Sequence, residues 1–181
     1  MRPILIIGAR GAGKTTLIRR LLSDASRPVR GFYTANLPTE PSGTHSTYLH
    51  PAWQPLDERI YTPDNQVGRW NGQTMRPFPE VFDTLGVSCL ANIPPQSLVV
   101  MDELGFLESQ APRFTQAVLD ALSGPAQVLA AVKDRPDVPF LQAVLAHPQA
   151  QVFRLTPENR QELYGPVSYT HLRAHETGRN L

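Results

Sequence analysis

The chain carries one cysteine, Cys89, among 181 residues, so no internal disulfide can form and a packed core must hold the fold. It has no apolar run near the roughly 18 residues that a bilayer-spanning helix requires. Its start, MRPILIIGARGAGK, lacks the long apolar stretch and small-residue cleavage site of a secretion signal. An excess of either charge is missing too. The 17 basic and 16 acidic residues leave a net charge of +1, without the single-sign field by which nucleic-acid and membrane-surface binders attract their partners. No N-K-x-D string is present to read guanine, no H-E-x-x-H to hold zinc, and no internal repeat. A reducing, cytoplasmic setting is expected, with no membrane and no nucleic-acid signal.

With 41% hydrophobic residues, the chain can bury one sizeable core, and its length favours a single domain. PILIIG reads as a buried strand ending in glycine, and KTTLIRRLLS sets Leu17, Ile18, Leu21 and Leu22 on one helical face. VRGFYT, residues 29–34, is a second strand. Residues 37–79 hold seven of the 18 prolines and read as loops and short strands, with STYLH and ERIYT as a candidate hairpin. FPEVFDTLGVSCLANI has helical spacing and is closed by Pro94 and Pro95. SLVVMDE has the pattern of a central parallel strand with acids at its C-terminal edge. A helix at about 111–123, the strand AQVLAAV, the helix VPFLQAVLAH, the strand AQVFRLT and a short helix PENRQELY follow. Alternating strands and helices predict a mainly parallel sheet covered on both faces, with one domain over residues 1–165.

Residues 8–15 match G-x-x-x-x-G-K-[ST] at Gly8, Gly13, Lys14 and Thr15. Glycines let the backbone turn successive N–H groups inward, and the following helix adds its positive end, which together make a cradle for phosphates. Lys14 is expected on the β and γ phosphates and the Thr15 hydroxyl on Mg2+. LVVMDE supplies an acid at a strand end, Asp102, to hold the same ion. Glu103, one residue further, can reach an attacking water as general base. Glu108 could support this site or cap the next helix, and capping is the expectation. Phosphoryl transfer also calls for a cation on the departing phosphates. Of Arg10, Arg30, Arg69, Lys133, Arg135 and Arg160, Lys133 is best placed, at the end of a predicted parallel strand. Two features are set aside. His171 and His175 in HLRAH have the i, i+4 spacing of a metal pair but no third ligand. They lie in VSYTHLRAHETGRNL, which resembles a translated cloning adapter, so residues 166–181 are read as a non-native tail. Cys89, on an apolar helix face, reads as a small core residue.

GARGAGKTTLI, GFYT, VGRW, VVMDELGFLE, VLAAV followed by Lys133, and LTPENRQEL occur in that order. This succession resembles the small P-loop nucleoside-triphosphatase family, the thermophile-type or cancer-related nucleoside-triphosphatases, from residue 3 to about 164. The resemblance implies a RecA-like α/β three-layer sandwich and Mg2+-dependent hydrolysis of ATP, GTP and other nucleoside triphosphates to diphosphate and phosphate. Carried over by position, its nucleotide-binding segments fall on Gly8, Ala9, Arg10, Gly11, Ala12, Gly13, Lys14, Thr15 and Thr16. The second segment comprises Val99, Val100, Met101, Asp102, Glu103, Leu104, Gly105 and Phe106. Arg10, Asn36 and Phe106 depart from the residues common in that family, which bears on substrate preference and on the lid region.

Two other functions share the phosphate loop. A kinase would pass the γ phosphate to a small acceptor, and it needs a mobile arginine-bearing lid. Residues 37–79 offer only the scattered Arg59, Arg69 and Arg76. An adaptor would use slow hydrolysis to time release of a protein partner. The carboxylate beside Asp102 favours the hydrolase.

Overall fold

The computed structural model of the protein describes residues 2–23 and 26–167. Its strands and helices run β1 (Ile4–Gly8), α1 (Lys14–Ser23), β2 (Val29–Asn36), β3 (His45–Pro51), β4 (Gln66–Trp70), β5 (Met75–Pro77) and α2 (residues 79–89). They continue with β6 (Leu98–Leu104), α3 (Pro112–Ser123), β7 (Gln127–Lys133), α4 (Pro139–Leu145) and β8 (Gln151–Arg154).

Side-chain alternation creates the layers. Ile4 and Ile6 pack toward α1 with Leu98, Val100, Leu129 and Ala131. Leu5, Val99, Met101, Val128, Ala130 and Val132 face the opposite way and meet α2, α3 and α4. Strands buried on both sides read as continuous apolar runs, which is why β1, β6 and β7 could be recognised from sequence. The eight strands are ordered β5-β4-β3-β2-β6-β7-β1-β8. β2, β6, β7, β1 and β8 are parallel, and β3, β4 and β5 extend the sheet antiparallel beyond β2. The strand leading into the phosphate loop and the strand carrying the acids are therefore not neighbours. β7 lies between them, and its last residue is Lys133.

Four expectations change. STYLH does enter a hairpin, but its partner is Gln66–Trp70 rather than ERIYT. Residues 58–62 instead pass from a short 3-10 turn, Leu56–Glu58, toward a second, Pro63–Asn65, because the Asn65 amide captures the Leu49 and Ile60 carbonyls. The α2 helix widens to a π turn over Phe82–Gly86, where Gly86 comes against the Phe114 ring. Residues 157–163 form turns, not a helix; the Asn159 side chain accepts from the Thr156 N–H and donates to the Arg154 carbonyl. Val167, within the stretch expected to be a non-native tail, is fully buried against the α1 face. His171 and His175 lie outside the described residues.

Candidate active site

The phosphate loop connects β1 to α1. Gly11 and Gly13 take φ values of 80° and 104°, a region that favours glycine, so the backbone can fold back over the start of the helix. Lys14 is buried. Its Nζ donates to the Gly8 carbonyl at 2.7 Å and the Ala9 carbonyl at 3.0 Å, and pairs with Glu103 Oε1 at 2.9 Å. Thr15 Oγ1 donates to Asp102 Oδ1 at 3.0 Å, across 87 residues of sequence.

Adjacent residues of a regular strand point to opposite faces, yet Asp102 and Glu103 both meet the loop. The reason is a bulge: between Met101↔Ala130 and Leu104↔Val132, β6 uses three steps where β7 uses two. The intervening Asp102–Glu103 peptide is cis. Thr34 of β2 braces it, donating to the Asp102 carbonyl at 3.3 Å and accepting from the Glu103 N–H at 3.2 Å. Burial, the largest influence, pushes the Asp102 carboxyl up to about 6; the Thr15 hydroxyl opposes this, and the charge of Glu103 adds to it.

Lys133 Nζ stands 3.9 Å from Glu103 Oε2, on the side away from Lys14. It also lies 5.6 Å from the centre of the Phe106 ring. Of the six cations weighed from the sequence, Lys133 is the one that reaches the acids. Arg135 is engaged with Asp137 at 2.6 Å, and Arg30 with the Trp53 ring and the Val29 carbonyl. Arg10, Arg69 and Arg160 are exposed, Arg69 on the antiparallel extension. Glu108 does not cap α3, whose N-cap has no side-chain bond. It is buried and accepts the Gly105 N–H, fixing the loop that follows the acids. Val99, Val100, Met101 and Leu104 have completely buried side chains, so they carry the acids rather than present side chains to a ligand. Ala9, Arg10, Gly11 and Thr16 are exposed around the cradle, while Ala12 is buried beneath it. Cys89 is buried among apolar residues, which pushes its thiol up to about 12 and leaves it chemically quiet.

The sequence pattern of the family described as NTPase matches residues 3–168. The chain belongs to that NTPase family. It is 28% identical over 177 residues to Nucleoside-triphosphatase THEP1 of Thermotoga petrophila, covering 92% of this chain and 90% of that protein. To the human Cancer-related nucleoside-triphosphatase it is 27% identical over 184 residues, with 90% and 92% covered. The crystal structure of THEP1 from Aquifex aeolicus superposes with a TM-score of 0.69 at 19% identity, over 91% of this chain and 96% of that one. The α/β P-loop architecture, the family resemblance and the nucleoside-triphosphate hydrolase reading all stand for this NTPase. Among the described residues no helix is long and apolar enough to cross a membrane.

Proposed function

We propose that this NTPase binds its substrate as the Mg2+ complex and that Glu103 activates the attacking water. The observation carrying this reading is the β6 bulge, which turns Asp102 to Thr15 and Glu103 to Lys14. A hydroxyl and a carboxylate 3.0 Å apart form a hard oxygen pair. Among the described residues no group of three His, Cys, Asp or Glu could hold a metal alone. That donor set suits Mg2+, which keeps several waters and completes its shell with substrate phosphates. Thr15 and Asp102 would hold the ion, which when bound neutralises charge on the β and γ phosphates.

The loop N–H groups and the positive end of α1 would seat the phosphates. Lys14, drawn from Glu103 to the β and γ phosphates, leaves that carboxylate free to take a proton. Water then attacks the γ phosphorus, the bond to the β-phosphate oxygen breaks with its electron pair leaving on the diphosphate, and the water proton passes to Glu103. Lys133 holds the far oxygen of Glu103 and keeps it aimed. The cytoplasm, where nucleoside triphosphates are abundant, is the setting this chemistry calls for.

Glu103→Gln tests the reading. Mg-nucleotide should still bind, while phosphate release should fall by about 100-fold to 10,000-fold, the span of general-base catalysis. Turnover equal to that of the parent would remove Glu103 from the mechanism. Labelled γ phosphate appearing in an added acceptor instead of in solution would replace the hydrolase by a kinase.

A further inference from the structure

Beside Asp102, on the flank away from the phosphate-loop strand, three side chains converge. Tyr33 of β2 stands in register with Asp102, on the face that α1 covers. The Arg59 guanidinium stacks over the Tyr33 ring at 5.1 Å. Arg19 lies one helical turn beyond Thr15 on α1. Burial raises the Tyr33 hydroxyl, the charge of Asp102 raises it further, and Arg59 and Arg19 pull it down. The register sets Tyr33 beside Asp102, and the ring contact sets Arg59 on Tyr33.

Arg59 is unusual within it. Its Nε is buried with no hydrogen-bond partner, and among the described residues no carboxylate pairs with its guanidinium. Arg19 is likewise without an ion pair among the described residues. Arg59 does not titrate away its charge in water, so a buried donor without a partner stands over the Tyr33 ring, whose strand meets the acid strand at Asp102, while Arg19 is exposed on α1. A group that supplies anionic oxygens would satisfy that donor. Arg59 itself precedes a stretch that is held in place, where Asn65 takes the Ile60 carbonyl and the Tyr61 ring packs on Tyr48 and His50, so the motion required is that of its own long side chain. Residues 52–62 make no sheet ladder, and Trp53, Leu56, Ile60 and Tyr61 are exposed along them.

We infer that Arg59 is a catalytic arginine supplied by the chain itself, which moves from the Tyr33 ring onto the terminal phosphoryl oxygens, with Arg19 as its supporting cation. This rests on the hydrolase reading above and completes it. Lys133 approaches Glu103 from β7, and Arg59 approaches from the β2 side, so charge developing on the transferred group is met from two directions. A planar guanidinium can bond two phosphoryl oxygens at once, which an ammonium cannot.

The test is Arg59→Ala beside Arg59→Lys, with Glu103→Gln as reference, using Mg-ATP and Mg-GTP. Arg59→Ala should lower kcat by about 100-fold or more, within the range of arginine contributions to phosphoryl transfer. KM should change by no more than a few-fold, and Arg59→Lys should recover only part of the loss. Mg-ADP should still raise the melting temperature of Arg59→Ala, which shows the nucleotide site intact. Trapping of ADP with aluminium fluoride, which mimics the transferred group, should be lost. A kcat within threefold of the parent, or unchanged aluminium fluoride trapping, overturns the role of Arg59. If Glu103→Gln is then inactive, the hydrolase reading survives that failure; if Glu103→Gln is also fully active, both fall.

Discussion

Glu108 shows how one buried side chain can set a pH dependence. Burial pushes its carboxyl from 4.5 up to about 7, against the opposing pull of the Gly105 N–H it accepts. A carboxylate whose folded value is raised keeps its proton in the fold after the unfolded chain has released it. Its contribution to stability is therefore fully present below 4.5, is lost as pH rises toward about 7, and is level above that. The shift corresponds to on the order of 3 kcal/mol. Thermal unfolding between pH 5 and 8 should show this decline in the parent and a clearly shallower one for Glu108→Gln, whose amide oxygen can still accept from Gly105 and in which the raised Asp102 still contributes up to about pH 6. Equal slopes would remove Glu108 as the source. Gly31 makes a second, purely steric case. At φ 93° a Cβ would lie 1.9 Å from the Val100 carbonyl oxygen, so β2 cannot pair with the acid strand through any other residue. Gly31→Ala is expected to yield little folded protein, measured by soluble expression and circular dichroism. Neither property could be read from the sequence: Glu108 looked like a capping acid, and Gly31 like a strand glycine of no special rank.

Among the elements, legibility followed burial and period. β1, α1, β6, α3 and β7 announced themselves because both-sided burial gives unbroken apolar runs and one-sided burial gives helical spacing. The partner of β3 escaped because Gln66–Trp70 is five residues long with a glycine at its centre. ERIYT, with better strand residues, is diverted by side-chain bonds to Asn65 that only the folded chain assembles. The convergence of Asp102 and Glu103 was legible as adjacency, whereas the bulge that aims both at one loop was not. α3 is the element whose loss would be felt most. Phe114 is fully buried, with its ring centre 5.3 Å from that of Phe32 and 5.0 Å from that of Phe82, so it ties α3 to β2 and α2. Phe114→Ala should cost about 3–5 kcal/mol by denaturant unfolding. A loss below about 1 kcal/mol would mean that the surrounding rings close the gap.

For the whole molecule, the nucleotide is expected to act as a stabilising element. The described site draws on β1, α1, β6 and β7, so occupancy fastens segments far apart in sequence. Mg-nucleotide at about 100 times its Kd should add about 2.7 kcal/mol to unfolding. In Thr15→Ala the part of that gain that depends on Mg2+ should shrink, while the shift given by nucleotide without metal should remain. A Thr15→Ala protein with the full Mg2+ effect would take the hydroxyl out of the metal's shell. Val167 belongs to the same scale, since its burial against the α1 face carries the packed chain past the boundary drawn from sequence.

The segment that bears Arg59 also carries its own optical label. The chain has two tryptophans, Trp53 and Trp70. Trp70 belongs to β4, whereas Trp53 is 49% exposed at the head of the segment, with the Arg30 guanidinium 5.6 Å from its ring. A ring half in water beside a fixed positive charge shifts its emission when either the water or the charge is displaced. Stopped-flow fluorescence of a Trp70→Phe protein, mixed with Mg-nucleotide, can thus report any change around Trp53 within a single turnover.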